Sequence, residues 1–140
     1  MHLTPYLTFN GTCEEALRFY ARHLGGNFQI IQRFGEAPGD IPEVPKDRVL
    51  HAQFQCDGFS FMASDAMPGD DVQAGNITLS LDIESADRQT RIFEALADSG
   101  QITLALEETF WGARFGMVTD KYGIPWMLNH SIGDQVGQDR

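Results

Sequence analysis

VLHAQFQCDGFSFMAS (49–64) places two short apolar-alternating runs around an Asp57-Gly58 step, and ARFGMVTDKYGIPWMLN (113–129) repeats the design around Lys121-Tyr122-Gly123. A DG step between two such runs is a strong hairpin signal. Laying Gly58 on Gly123 brings Met62 onto Met127. Two matching hairpins suggest that what precedes them also matches.

Upstream of the first hairpin, LTPYLTFN (3–10) reads as a strand, and Pro5, which lacks an amide hydrogen, implies either that the strand lies at a sheet edge or that Pro5 sits where no ladder bond is required. Thr12 and Glu15 have the spacing of a capping box. The helix they open buries Ala16, Leu17, Tyr20 and Leu24, and Gly25-Gly26 gives it a left-handed exit. NFQIIQRF (27–34) is the next strand, and residues 35–46 form a long loop rich in proline and glycine that is a candidate cover for a site.

The second half follows the same order. NITLSLDI (76–83) is a strand; Ser85 and Asp87 open a helix with Ala86, Ile92, Phe93 and Leu96 on its apolar face; Ser99-Gly100 closes it; QITLALEETF (101–110) leads into the second hairpin. The two helices align with Phe19 on Phe93 and Gly26 on Gly100. A repeated supersecondary unit implies that neither copy buries its apolar face alone. The predicted organisation is one α+β structural domain made of a first βαβββ module (1–66), a linker (67–75), a second βαβββ module (76–130) and a polar tail (131–140).

With ten basic and twenty acidic residues the formal charge is -10, which repels phosphate backbones and anionic lipid. Neither nucleic acid nor a membrane is an expected partner. Cys13 and Cys56 show neither metal spacing nor disulfide density, no run approaches the roughly 18 apolar residues of a membrane span, and the first residues lack a signal pattern. A cytoplasmic protein is the expectation.

TPYLTFNG, EEALRFY, HAQF, MASD and ETFWGARFGMVTDKYGIPWML together resemble the PhnB-like branch of the vicinal oxygen chelate superfamily, which includes glyoxalase I, extradiol dioxygenases and bleomycin-resistance proteins. Members of this branch often carry the name 3-demethylubiquinone-9 3-methyltransferase. The resemblance spans Leu3 to about His130. It implies tandem modules whose sheets form a half-open mixed-sheet barrel around a shared cavity, with helices outside, and a homodimer. It also implies that metal-using members draw ligands from the first and last strand of each module, positions matched here by Pro5, Asn76, Met62 or its neighbour Ala63, and Met127. Proline and alanine cannot ligate, and thioethers prefer soft metals, so no metal and no cofactor are expected. For methyl transfer, FNGTCEEAL has a single glycine where a donor-binding turn would need several.

Strand alternation predicts which side chains face the cavity. Asn76, Thr78 and Ser80 share one face, with Ile77, Leu79 and Leu81 turned to the helix; Pro5, Leu7 and Phe9, and Pro125, Met127 and Asn129, are the matching inner positions. His51, Gln53 and Gln55 share a face opposite Ala52, Phe54 and Cys56. Trp111 and Arg114 carry two readings. Either Trp111, beside Phe110, forms a flat wall and Arg114 a forked donor for an anionic group, or Trp111 packs at a subunit interface and Arg114 pairs with Glu107 or Glu108. Trp126, Phe115, Met117 and Phe54 are expected in the core.

The predicted ligand-binding residues are therefore His51, Asn76, Thr78, Phe110, Trp111, Arg114 and Met127, with His51 the one candidate acid-base group. They suit a protein that binds a small, partly aromatic or anionic organic ligand without metal. Two alternatives stand beside it: a metal-dependent enzyme of the glyoxalase or dioxygenase type with altered ligation, through His51 or through His2 and His130, and a structural or regulatory homodimer.

Overall fold

The computed structural model describes residues 1–39 and 44–132. The chain divides into two compact units, Met1–Val72 and Gln73–Arg140. The first contains β1 (Tyr6–Phe9), α1 (Cys13–Leu24), β2 (Asn27–Arg33), β3 (Val49–Cys56) and β4 (Phe59–Asp65). The second contains β5 (Leu79–Asp82), α2 (Ala86–Ala97), β6 (Gln101–Glu108), β7 (Ala113–Thr119) and β8 (Pro125–Ser131). Each is a βαβββ module with a mixed four-stranded sheet, in the orders β1-β4-β3-β2 and β5-β8-β7-β6. The first strand of each lies at an edge, parallel to the last.

Register makes the duplication quantitative. Tyr6 pairs with Met62 and Met62 with Gln53; Ser80 pairs with Met127 and Met127 with Met117. Tyr6 and Ser80 are therefore the equivalent first-strand positions, which overturns the match of Pro5 with Asn76. Gly26 and Gly100 are equivalent for a packing reason: a Cβ on either would collide with a strand carbonyl, that of Gln55 or Thr119. The helices align one residue differently from expectation. Tyr20, fully buried, is the counterpart of Phe93, because two residues separate α1 from β2 whereas three, Asp98 to Gly100, separate α2 from β6.

In the first unit α1 covers one sheet face. Its buried Ala16, Leu17 and Tyr20 meet a layer that includes Ala52, Phe54, Phe61 and Ala63. Tyr20 contacts Phe54 and Phe61 edge-on, while Phe54 and Phe61 stack at 4.8 Å. Such aromatic pairs add about 1 kcal/mol each beyond burial. Leu7 pairs with Ala63 and Phe9 is 1% exposed, so both face the helix, not the open face predicted for them. In the second unit Ile92, Phe93 and Leu96 of α2 are buried with Val118, Trp126 and Leu128.

Helix entry differs from expectation in the first unit. The Thr12 side chain makes no cap bond. The buried Asp65 carboxylate at the end of β4 instead accepts from Cys13 N and Val49 N, both at 2.9 Å. Burial, then the charges of Asp65 and Glu14, push the Cys13 thiol up to about 12, so it stays protonated and unreactive. At the exit both glycines have positive φ, but Gly25 at φ 86°, ψ 166° is extended, a region essentially reserved for glycine, and not left-handed helical. In the second unit Ser85 Oγ does accept from Arg88 N at 3.0 Å. Ala86 is exposed, and Gln89 takes its place on the buried face.

Candidate functional site

Each sheet has one face under its helix and one face away from it. On the uncovered face of the first sheet, β1, β4 and β3 place Tyr6, Met62 and Gln53 in one row, with His51 on the same face of β3. The Tyr6 and His51 rings stack at 5.9 Å and 24°, and Tyr6 Oη lies 3.3 Å from His51 Nδ1. His51 is thus where alternation predicts, with Ala52 and Phe54 buried on the other side. Tyr6 was missed. It sits beside Pro5, and only the register with Met62 reveals that it, and not its neighbour, points to this face.

The second sheet offers Ser80, Met127, Met117 and Leu104 in one row and Asp82, Asn129, Phe115 and Glu107 in the next. Met127 is half-buried as a lining residue would be. Phe115 and Met117 also lie on this face, half-buried, and are not core residues. Trp126 faces α2 and is 1% exposed, its indole Nε1 donating to Asp120 Oδ2 at 2.9 Å.

The remaining predicted residues do not join this row. β5 begins at Leu79, so Asn76 and Thr78 precede it, Asn76 exposed and Thr78 half-buried, while Ile77, expected under the helix, is 75% exposed. Phe110 and Trp111 occupy the tight turn between β6 and β7, packed edge-to-face at 4.9 Å. Trp111 also touches Phe115. Arg114 points the other way. Its Nη1 donates to Ala86 O, Gln89 Oε1 and Thr90 Oγ1 on α2 at 3.0 to 3.3 Å. Trp111 contacts Phe115, whose strand neighbour Arg114 points to the opposite face, so the two do not form a clamp; Arg114 lies across from Glu108 in the β6–β7 register, but its guanidinium bonds α2 and not that carboxylate.

The metal that the resemblance implies finds no fitting donor set. The equivalent first- and last-strand positions carry Tyr6 with Met62 and Ser80 with Met127, and thioethers and neutral hydroxyls suit a hard divalent ion poorly. Among the described residues no three His, Cys, Asp or Glu side chains converge to hold one. His130 is committed to its own unit, with Nδ1 2.8 Å from Ile83 O. Of the proline-rich loop, residues 40–43 lie outside the described residues, as do 133–140 of the expected tail; β8 itself continues to Ser131. No helix among the described residues is long and apolar enough to cross a membrane.

Two tandem βαβββ modules with helices on one face of each sheet define the glyoxalase/bleomycin-resistance/dioxygenase fold. Residues 1–129 match the family described as 3-demethylubiquinone-9 3-methyltransferase, and the chain belongs to that family, the PhnB-like branch of the superfamily. It is 38% identical to protein YjdN of Escherichia coli K12 over 92% of this chain and 95% of that one. The crystal structure of PA1353 from Pseudomonas aeruginosa superposes with a TM-score of 0.85 at 38% identity, covering 94% of this chain and 98% of that chain. A Bacillus cereus structure named as a putative 3-demethylubiquinone-9 3-methyltransferase, PhnB protein, reaches 0.80 at 28% identity, covering 94% and 100%.

Proposed function

We propose that this PhnB-like protein binds a small, partly aromatic organic molecule without a protein-held metal, and works as a cytoplasmic homodimer. The observation that carries the reading is the stacked Tyr6–His51 pair on the uncovered face of the first sheet, beside Met62 and Gln53. The stacked pair offers an aromatic ring face to a planar ligand, Met62 an adaptable surface, and His51 Nε2 and the Gln53 amide the few polar contacts that fix orientation. The uncovered face of the second sheet, with Phe115, Met117, Met127 and Trp111, has the same aromatic and thioether character. The anionic half of the expectation loses its donor, because Arg114 is occupied on α2.

Support for self-association is the apolar surface of β6 and its turn: Ile102, Leu104, Phe110 and Trp111 are exposed, Phe110 by 96%. An uncovered edge strand with apolar side chains favours a partner. Phe110 and Trp111 serve this contact first.

Native mass spectrometry of freshly purified protein tests all three elements together. The expected spectrum is a dimer carrying an organic molecule and no stoichiometric metal. Tyr6→Ala and His51→Ala should release that molecule, whereas Arg114→Lys should retain it. Stoichiometric nickel, zinc, iron or manganese, with activity lost on chelation, refutes the proposal.

A further inference from the structure

β1 ends at Phe9 and α1 begins at Cys13, so Asn10, Gly11 and Thr12 make the whole connection between them. Both of its ends are tied. The Phe9 carbonyl accepts from Ala66 N at 2.7 Å, and Cys13 N donates to Asp65 Oδ1 at 2.9 Å. Between those ties Asn10 is exposed. Among the described residues nothing hydrogen-bonds its carboxamide, and nothing accepts from the Gly11 amide. Asn10 is also the one asparagine of the chain followed by glycine; Asn27, Asn76 and Asn129 precede Phe28, Ile77 and His130. Without a Cβ, the glycine amide nitrogen can approach the side-chain carbonyl of the residue before it, and Gly11 stands at φ 88°, where L side chains are strained.

Arg48 supplies an independent feature. Its guanidinium lies over Gly11, so closely that a Cβ there would stand 2.8 Å from Nη2 and 3.1 Å from Cζ. Arginine stays charged in a protein. A fixed cation beside this peptide favours loss of the Gly11 amide proton and the build-up of negative charge on an oxygen next to it.

We propose that Asn10 is a site of spontaneous deamidation promoted by Arg48. The Gly11 nitrogen gives up its proton and forms a bond to Asn10 Cγ; the Cγ–Nδ2 bond breaks, and the amide group leaves with that proton as ammonia. The succinimide so formed takes up one water, which opens either of its imide C–N bonds and leaves aspartate or isoaspartate at position 10. Water is the only co-reactant. The product sets a new carboxylate beside the Arg48 guanidinium and two residues before Thr12, at the positive end of α1, and both neighbours stabilise it.

The test is peptide mapping by mass spectrometry of the folded full chain, aged in ¹⁸O-labelled water at neutral and mildly alkaline pH. The expected result is ¹⁸O gained at position 10 several-fold faster than at positions 27, 76 and 129, in peptides that separate into aspartate and isoaspartate forms. Arg48→Gln should slow the conversion several-fold with an unchanged thermal melt, and Arg48→Lys, which keeps the charge, should recover most of the rate. Conversion of Asn10 no faster than that of Asn76, which is equally exposed, overturns the proposal. An unchanged rate in Arg48→Gln also overturns it, because the glycine alone would then account for the reaction.

Discussion

The two units share strand order and register yet hold their helices by different means. In the first, α1 is fastened from a distance: Asp65, at the far end of the module, ties the first turn of the helix and the start of β3 to β4. In the second, the cap is local, through Ser85, and the long-range tie runs the other way, from Gln89 on the helix to the carbonyls of Arg114 at 2.8 Å and Leu128 at 3.1 Å. Duplicated folds can thus keep their apolar layers while exchanging polar anchors, provided every buried donor and acceptor finds some partner. No buried side-chain nitrogen or oxygen among the described residues lacks one.

This contrast predicts an order of damage. Asp65→Ala strands two buried amides at once and should cost about 3 kcal/mol or more in urea unfolding. Gln89→Ala leaves two strand carbonyls without their donor and should cost about 2 kcal/mol by the same measurement. Ser85→Ala removes one exposed-end cap bond and should cost about 1 kcal/mol. Equal losses for Asp65→Ala and Ser85→Ala would break the distinction between a distant and a local anchor.

The smallest expected effect sharpens the comparison from the side of charge. The carboxyl of Glu14 on α1 is held below the usual range, chiefly by its hydrogen bond from Arg33 and also by Arg18. A depressed folded value means its contribution is fully present above the ordinary carboxylate range and is lost as pH falls through the lowered value. Replacing Glu14 with Gln should slightly flatten the acid limb of the stability–pH curve. Exposed pairs are worth little, so an acid limb dominated by this residue would contradict the assignment.

Much of the architecture is legible from local pattern. The strand and helix order, the DG hairpin, Gly26 matched to Gly100, and Trp126 under its helix all follow from alternation and glycine punctuation. The errors have a common source. Matching Pro5 to Asn76, turning Leu7 and Phe9 to the open face and laying Phe19 on Phe93 each carry a one- or few-residue shift that inverts a strand face or rotates a helix. The site suffers most from such shifts: His51 lies where alternation puts it, Tyr6 emerges only from the register, and of the two readings of Arg114 the clamp fails because Trp111 and Arg114 lie on opposite faces.

What the amino-acid sequence determined by itself is the repeated βαβββ plan and the family, because hydrophobic period and turn chemistry act over a few residues and survive duplication. Only the tertiary structure decided which polar groups anchor the fold and which are left to meet a ligand. Asp65 and Arg114 look like any other charged residues in the chain until β4 is laid against α1 and β7 against α2. The need to satisfy buried amides and carbonyls then binds both to the scaffold, leaving Tyr6 and His51 on a surface open to other molecules.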